Sequence, residues 1–172
     1  ANNKKDIAIA YKEMGRTIFN LGYKDSTFLF YQKAKEFFTQ INDDEGLADV
    51  LYLEGNIEPE YQKSIDKFNQ SNALYNKLND TAGMAKCLYS IARFMLLNKY
   101  YEKGYEYLTQ SENLSIVVKD TTRLGFIYNL KGYINKTWNK RTLALSCYQK
   151  AIIMFKSSKN DHAVEAVNQN IA

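Results

Sequence analysis

Among its 172 residues the chain holds one proline, one histidine, one tryptophan and two cysteines. Each scarcity excludes something. With Pro59 as the only proline, helices can run through almost the whole length. His162, beside Asn160 and Asp161, has no Cys or Ser at a useful spacing and reads as a solvated side chain in a turn. Cys87 and Cys147 lie sixty residues apart with no second Cys near either, which excludes a paired zinc site or a CxxC redox motif; both read as buried free thiols. No apolar run approaches the ~20 residues needed to span a bilayer. The stretch from Ala92 to Leu97 is already broken by Arg93. No glycine-rich phosphate loop occurs, and the acidic run Asp43, Asp44, Glu45 reads as helix-start chemistry. Neither a cofactor nor a metal is expected.

The formal charge of +4 comes from Lys and Arg interleaved with acidic residues, so strong nucleic-acid binding is not implied. The chain opens ANNKKD without Met or a signal peptide, which leaves its compartment open between cytoplasm and periplasm.

What the chain does have is a repeat. YQKAKEFFTQINDDEG from Tyr31, FNQSNALYNKLNDTAG from Phe68, LTQSENLSIVVKDTTR from Leu108 and YQKAIIMFKSSKNDHA from Tyr148 superpose, their starts thirty-seven, forty and forty residues apart. A second block recurs as IAIAYKEMG, LADVLYLEG, MAKCLYSIA, LGFIYNLKG and VEAVNQNIA. It ends on a small residue each time: Gly15, Gly55, Ala92, Gly132 and Ala172. Apolar residues three and four apart, as at Ile7, Ala10, Tyr11 and Met14, give the helical period. The unit is a helix pair. Asp43, Asp80, Asp120 and Asn160 stand where side chains accept hydrogen bonds from the free N–H groups of a first turn, and mark the turns between units. The small residue on each first helix lets a neighbour approach closely. Tyr31, Phe68, Leu108 and Tyr148, each three residues before Ala34, Ser71, Ser111 and Ala151, supply bulk and gap on the second helix.

On these residues the chain resembles a tetratricopeptide repeat array of the longer variety, with a pitch near 40 in place of about 34. The match covers nearly the whole sequence. It departs from the family pattern where Leu108 replaces an aromatic and where the helix-ending proline is absent from every repeat. The resemblance implies an all-α fold, a right-handed α-solenoid of antiparallel helix pairs. It forms one domain over residues 1–172, with units about 6–42, 43–79, 80–119 and 120–159 and a partial one at 160–172. Val164, Val167 and Ile171 present an apolar stripe that calls for another helix, so the natural chain is expected to continue beyond Ala172.

The family's arrays serve as non-catalytic scaffolds that hold a peptide or partner helix against their first helices. The columns that change between repeats mark the groove: Ile9, Lys12 and Arg16; Asp49, Tyr52 and Asn56; Lys86, Tyr89 and Arg93; Phe126, Asn129 and Tyr133. Each trio shares one helical face. The stripe reads as free of packing duty, and its cations and aromatic rings suit an acidic or carboxylate-bearing protein or peptide. Some family members clamp a partner's C-terminal carboxylate with five residues. Lys12 and Lys86 match that pattern, whereas Arg16, Leu53 and Ser90 depart from it.

Repeats of this kind resemble the interaction or sensory regions of bacterial signalling and regulatory proteins. Two alternatives stand beside the scaffold: a regulator whose groove binds a peptide signal and passes it to a kinase or DNA-binding domain, and nucleic-acid binding through the basic stripe. Within EGNIEPEYQKSI the turn is three residues short. The first helix of the second unit is therefore expected to stop near Ile57, with Pro59 in the first turn of the next helix and a notch beside Asn56 and Tyr52.

Overall fold

The computed structural model describes residues 2–171, and among these every segment is helix or a short link. The helices are α1 (Asn2–Asn20), α2 (Lys24–Gln40), α3 (Asp44–Ile57), α4 (Tyr61–Lys77), α5 (Thr81–Leu97), α6 (Tyr101–Val117), α7 (Thr121–Thr137), α8 (Arg141–Ser157) and α9 (Asp161–Ile171). They form two compact units, Ala1–Asp80 with α1 to α4 and Thr81–Ala172 with α5 to α9. In the first, α1 packs on α2, α2 on α3 and α3 on α4. In the second, α5 packs on α6, α6 on α7, α7 on α8 and α8 on α9. Three-residue links reverse the chain, so successive helices within each unit run antiparallel.

One turn design recurs. The second residue past the helix is left-handed, as at Asn42 (φ 53), Lys99 (φ 64), Lys119 (φ 56), Asn139 (φ 58) and Lys159 (φ 55). The next N–H reaches back five residues, from Asp43 to the Phe38 carbonyl at 2.9 Å and from Asp120 to that of Ser115 at 2.9 Å. This Schellman closure satisfies carbonyls that the helix leaves free. At three of the turns the following helix is also capped by a side chain, whereas Tyr23, Tyr100 and Lys140 before α2, α6 and α8 make no such bond. Asp43 Oδ1 accepts from the Gly46 N–H at 3.0 Å, Asp120 from Arg123 at 2.9 Å and Asn160 from Ala163 at 3.2 Å.

The link at Pro59 is the exception. Glu58 is extended (φ −64, ψ 120) and α3 stops at Ile57, as a residue before proline requires. The expectation that Pro59 begins the next helix is corrected: α4 starts at Tyr61 after Glu60, and the proline lies within the reversal itself.

Small and large residues interlock as one column against another. A methyl group at Gly55 would fall 2.8 Å from Phe68 Cε1, and one at Gly132 2.5 Å from Tyr148 Cε1, inside van der Waals contact. Where the small residue is Ala92, its partner in the same cluster is Leu108 and not a ring. The extra methyl on one helix is matched by lost bulk on the other. Ala172, the last member of the small column, lies outside the described residues. Two repeats carry serine at the second small position, and the hydroxyls find backbone partners. Ser71 donates to the Ala48 carbonyl at 2.7 Å and Ser111 to that of Ala85 at 2.8 Å.

Two buried charges sit beside the small column. Glu54, 0% exposed, meets Lys35 Nζ at 3.2 Å and Lys67 Nζ at 2.6 Å. Lys131, 6% exposed, meets Glu112 at 2.5 Å.

Candidate functional site

The variable columns lie on α1 and α3 in the first unit and on α5 and α7 in the second. In the first unit the structure draws the side chains into one another. Lys12 Nζ pairs with Asp49 Oδ2 at 3.0 Å, and the other oxygen of Asp49 accepts from the Tyr75 hydroxyl at 2.6 Å. Arg16 pairs with Glu13 on its own helix at 3.1 Å. The Tyr52 ring lies 5.6 Å from that of Phe68, and Asn56 Nδ2 donates to the Tyr52 carbonyl at 2.8 Å. Ile9 is exposed on α1.

In the second unit the columns build an aromatic surface. Tyr89 and Phe126 rings are 6.3 Å apart, and Phe126 meets Phe155 edge-on at 4.9 Å. The Arg93 guanidinium lies 5.9 Å from the centre of the Tyr89 ring, within cation–π range. The Tyr133 ring centre sits 6.4 Å from that of Tyr101, and Asn129 Oδ1 accepts from Asn170 at 3.0 Å. Lys86 is half-buried. The stripe is therefore not free of packing duty, and that expectation is corrected. Ser90, at one of the clamp positions, is buried.

Charge divides unevenly. Ala1–Asp80 holds ten Lys and Arg against thirteen Asp and Glu, whereas Thr81–Ala172 holds thirteen against six. In the first unit Lys5, Lys12, Arg16 and Lys77 each hold a carboxylate. In the second, Arg93, Lys99 and Arg141 have no carboxylate partner among the described residues.

Two cavities of the second unit fall one repeat apart. The first, about 400 Å³, lies where Arg93, Leu96 and Leu97 on α5 and Lys99 in the following link meet Tyr101 on α6 and Leu130 and Tyr133 on α7. The second, about 560 Å³, has Lys136, Asn139, Arg141 and Asn170 at the matching positions forty residues on, with Tyr148 on its wall. Of these lining residues only Arg93 and Tyr133 belong to the stripe read from sequence. Comparing turns at the same forty-residue spacing would have found the others, because Lys99 and Arg141 sit in and just after links that the helix-face reading passed over.

Deeper in this unit, burial and a hydrogen bond to Glu112 push the Tyr128 phenol up to about 12. Cys87 is buried as expected, whereas Cys147 is only half-buried, and partial burial raises its thiol above the usual value. No cluster of three or more His, Cys, Asp or Glu able to hold a metal occurs among the described residues. No helix there is long and apolar enough to cross a membrane.

No protein-family model matches this chain, and no curated protein sequence does. Solved structures do. Aspartyl phosphate phosphatase F from Bacillus subtilis matches with a TM-score of 0.91 at 14% identity over 96% of this chain and 44% of its own. A signal transduction ATPase with numerous domains carrying a tetratricopeptide repeat sensor, from Pyrococcus horikoshii, matches at 0.81 and 14% identity over 95% of this chain and 26% of its own. BtubC from P. vanneervenii matches at 0.76 and 10% identity, over 98% and 79% respectively. The chain thus spans less than half the length of the first two. At such identities the likeness is one of fold: with its recurring helix pairs and small-to-large interlock, the chain is a tetratricopeptide-like helical repeat protein.

Proposed function

We propose that this chain is a non-catalytic protein- or peptide-binding scaffold, the interaction or sensory region of a larger regulatory protein. The supporting observation is the face of α5 and α7, where Arg93, Phe126 and Tyr133 are exposed beside Tyr89. Exposed aromatic rings with an arginine are the residue types that dominate binding energy at protein interfaces. The matched proteins from Bacillus subtilis and Pyrococcus horikoshii, a phosphatase of aspartyl phosphate and a protein with a repeat sensor, point to regulation as the setting. The proposed binding positions are Lys12, Arg16, Asp49, Tyr52 and Asn56 in the first unit and, taken separately, Lys86, Tyr89, Arg93, Phe126, Asn129 and Tyr133 in the second.

Selection from a random displayed peptide library tests this. Enriched peptides should bind the chain in solution and lose about tenfold or more in affinity when Arg93→Glu and Tyr133→Ala are combined, a loss of about 1.4 kcal/mol or more. An unenriched library, or binding indifferent to those changes, contradicts the proposal. A second reading, binding of nucleic acid, draws on the excess of Lys and Arg in Thr81–Ala172. It requires affinity for an oligonucleotide that falls steeply with salt.

A further inference from the structure

Resting on that scaffold reading, we infer that the second unit takes an acidic peptide anchored by one large apolar side chain. The anchor seats in the cavity between α5, α6 and α7, and a neighbouring carboxylate reaches the matching cavity one repeat on.

The first cavity supplies the anchor site. Its volume, about 400 Å³, lies in the range of about 300–1,000 Å³ typical of ligand pockets. Leu96, Leu97 and Leu130 make its walls together with the Tyr101 and Tyr133 rings. Leu97 is 74% exposed and Tyr133 46%, so the pocket offers apolar surface that water now covers. Burying one Leu or Phe side chain there strengthens binding by about tenfold or more.

The rim supplies the charge preference. Arg93 and Lys99 line the same cavity and hold no carboxylate among the described residues, in a unit where basic residues outnumber acidic ones two to one. No Asp or Glu lines either cavity. The Lys99 backbone is fixed in the left-handed turn that closes α5, with the Tyr100 N–H bonded to the Met95 carbonyl at 2.9 Å, so the base of this side chain is held at the rim.

The second cavity adds an independent sign that an acceptor belongs there. Tyr148 on its wall is 2% exposed, and its hydroxyl has no hydrogen-bond partner. A buried donor left without an acceptor is rare in folded proteins and unfavourable. Arg141 and Lys136 line the same space, and Lys136 is held by the Asn170 carbonyl at 2.9 Å. A phenol, a guanidinium and an ammonium together suit a carboxylate.

Fluorescence anisotropy with a labelled synthetic peptide of alternating Asp and Glu around two leucines tests the inference. That peptide should bind, and replacing both leucines by serine should weaken it about tenfold or more. Combining Arg93→Glu with Lys99→Glu should abolish binding, whereas Lys24→Glu in the first unit should leave it unchanged. Tyr148→Phe should lower affinity several-fold with no loss of thermal stability, an outcome that a purely structural tyrosine would not give. Equal binding of the serine peptide, indifference to the Arg93 and Lys99 reversals, or tighter binding of a single-stranded oligonucleotide overturns the inference. If acidic peptides fail while library-selected peptides of another chemistry bind through Arg93 and Tyr133, only this inference falls. If no peptide binds at all, the scaffold reading falls with it.

Discussion

Glu54 and Lys131 occupy the same position of the repeat, each just before the small residue of its first helix, and carry opposite charges. Each finds its counter-charge 19 residues earlier, Glu54 at Lys35 and Lys131 at Glu112. One geometric slot on the second helix thus faces one slot on the next first helix, with the sign of the pair inverted between the two units. Within the second unit Ile152 and Ile171 hold the corresponding positions one repeat on, so these slots differ in chemistry. A mispaired helix would bring a charge against an apolar or like-charged residue, which disfavours stacking in the wrong order.

Breaking one of these pairs should be expensive. Glu54→Ala leaves Lys35 and Lys67 without their counter-charge and is expected to cost about 3 kcal/mol in urea unfolding, near the low end for a buried pair because both lysines reach solvent. Lys131→Glu should be similarly damaging, and adding Glu112→Lys should recover most of the loss. Failure of the double exchange to recover stability would show that the slot tolerates only one polarity.

The interlock of Gly132 with Tyr148 predicts a second coupling. Gly132→Ala should cost about 1–3 kcal/mol through overpacking. Tyr148→Leu in the same chain should relieve it, recreating the Ala92 and Leu108 arrangement found one repeat earlier. A double-mutant cycle measures this, and additive effects would argue against size matching between the columns.

Asp43 should make the first unit acid-sensitive. Burial alone would raise its carboxyl, but the Gly46 N–H and Lys5 outweigh it and hold it below its usual value. A depressed carboxyl contributes stability above the unfolded value of about 3.9 that is lost as pH falls through the folded one. Thermal unfolding should therefore show a loss below about pH 4. Asp43→Asn, which keeps a capping oxygen without the charge, should shrink that loss.

Much of this architecture was legible in the residues. Asp43, Asp120 and Asn160 announced the turns, and the small and aromatic columns announced the contacts, because backbone capping and close packing each demand a narrow set of side chains. Pro59 gave the end of α3 correctly but not the start of α4, since proline constrains the residue before it more tightly than the helix after it. The site was read less completely. A helical face says which side chains share a direction, not whether a ring such as Phe126 also covers a neighbour such as Phe155. The cavities escaped because they join the end of one helix, a link and the face of a later helix, segments that no single periodicity brings together.

The most direct test of the account is an amide NMR spectrum of isotope-labelled chain recorded with and without the acidic leucine peptide. Shifts concentrated at Arg93 to Tyr101, Leu130 to Tyr133 and around Arg141 and Tyr148 are predicted, and Tyr148→Phe should weaken the response. Shifts confined to α1 to α4, or none at saturating peptide, would contradict it.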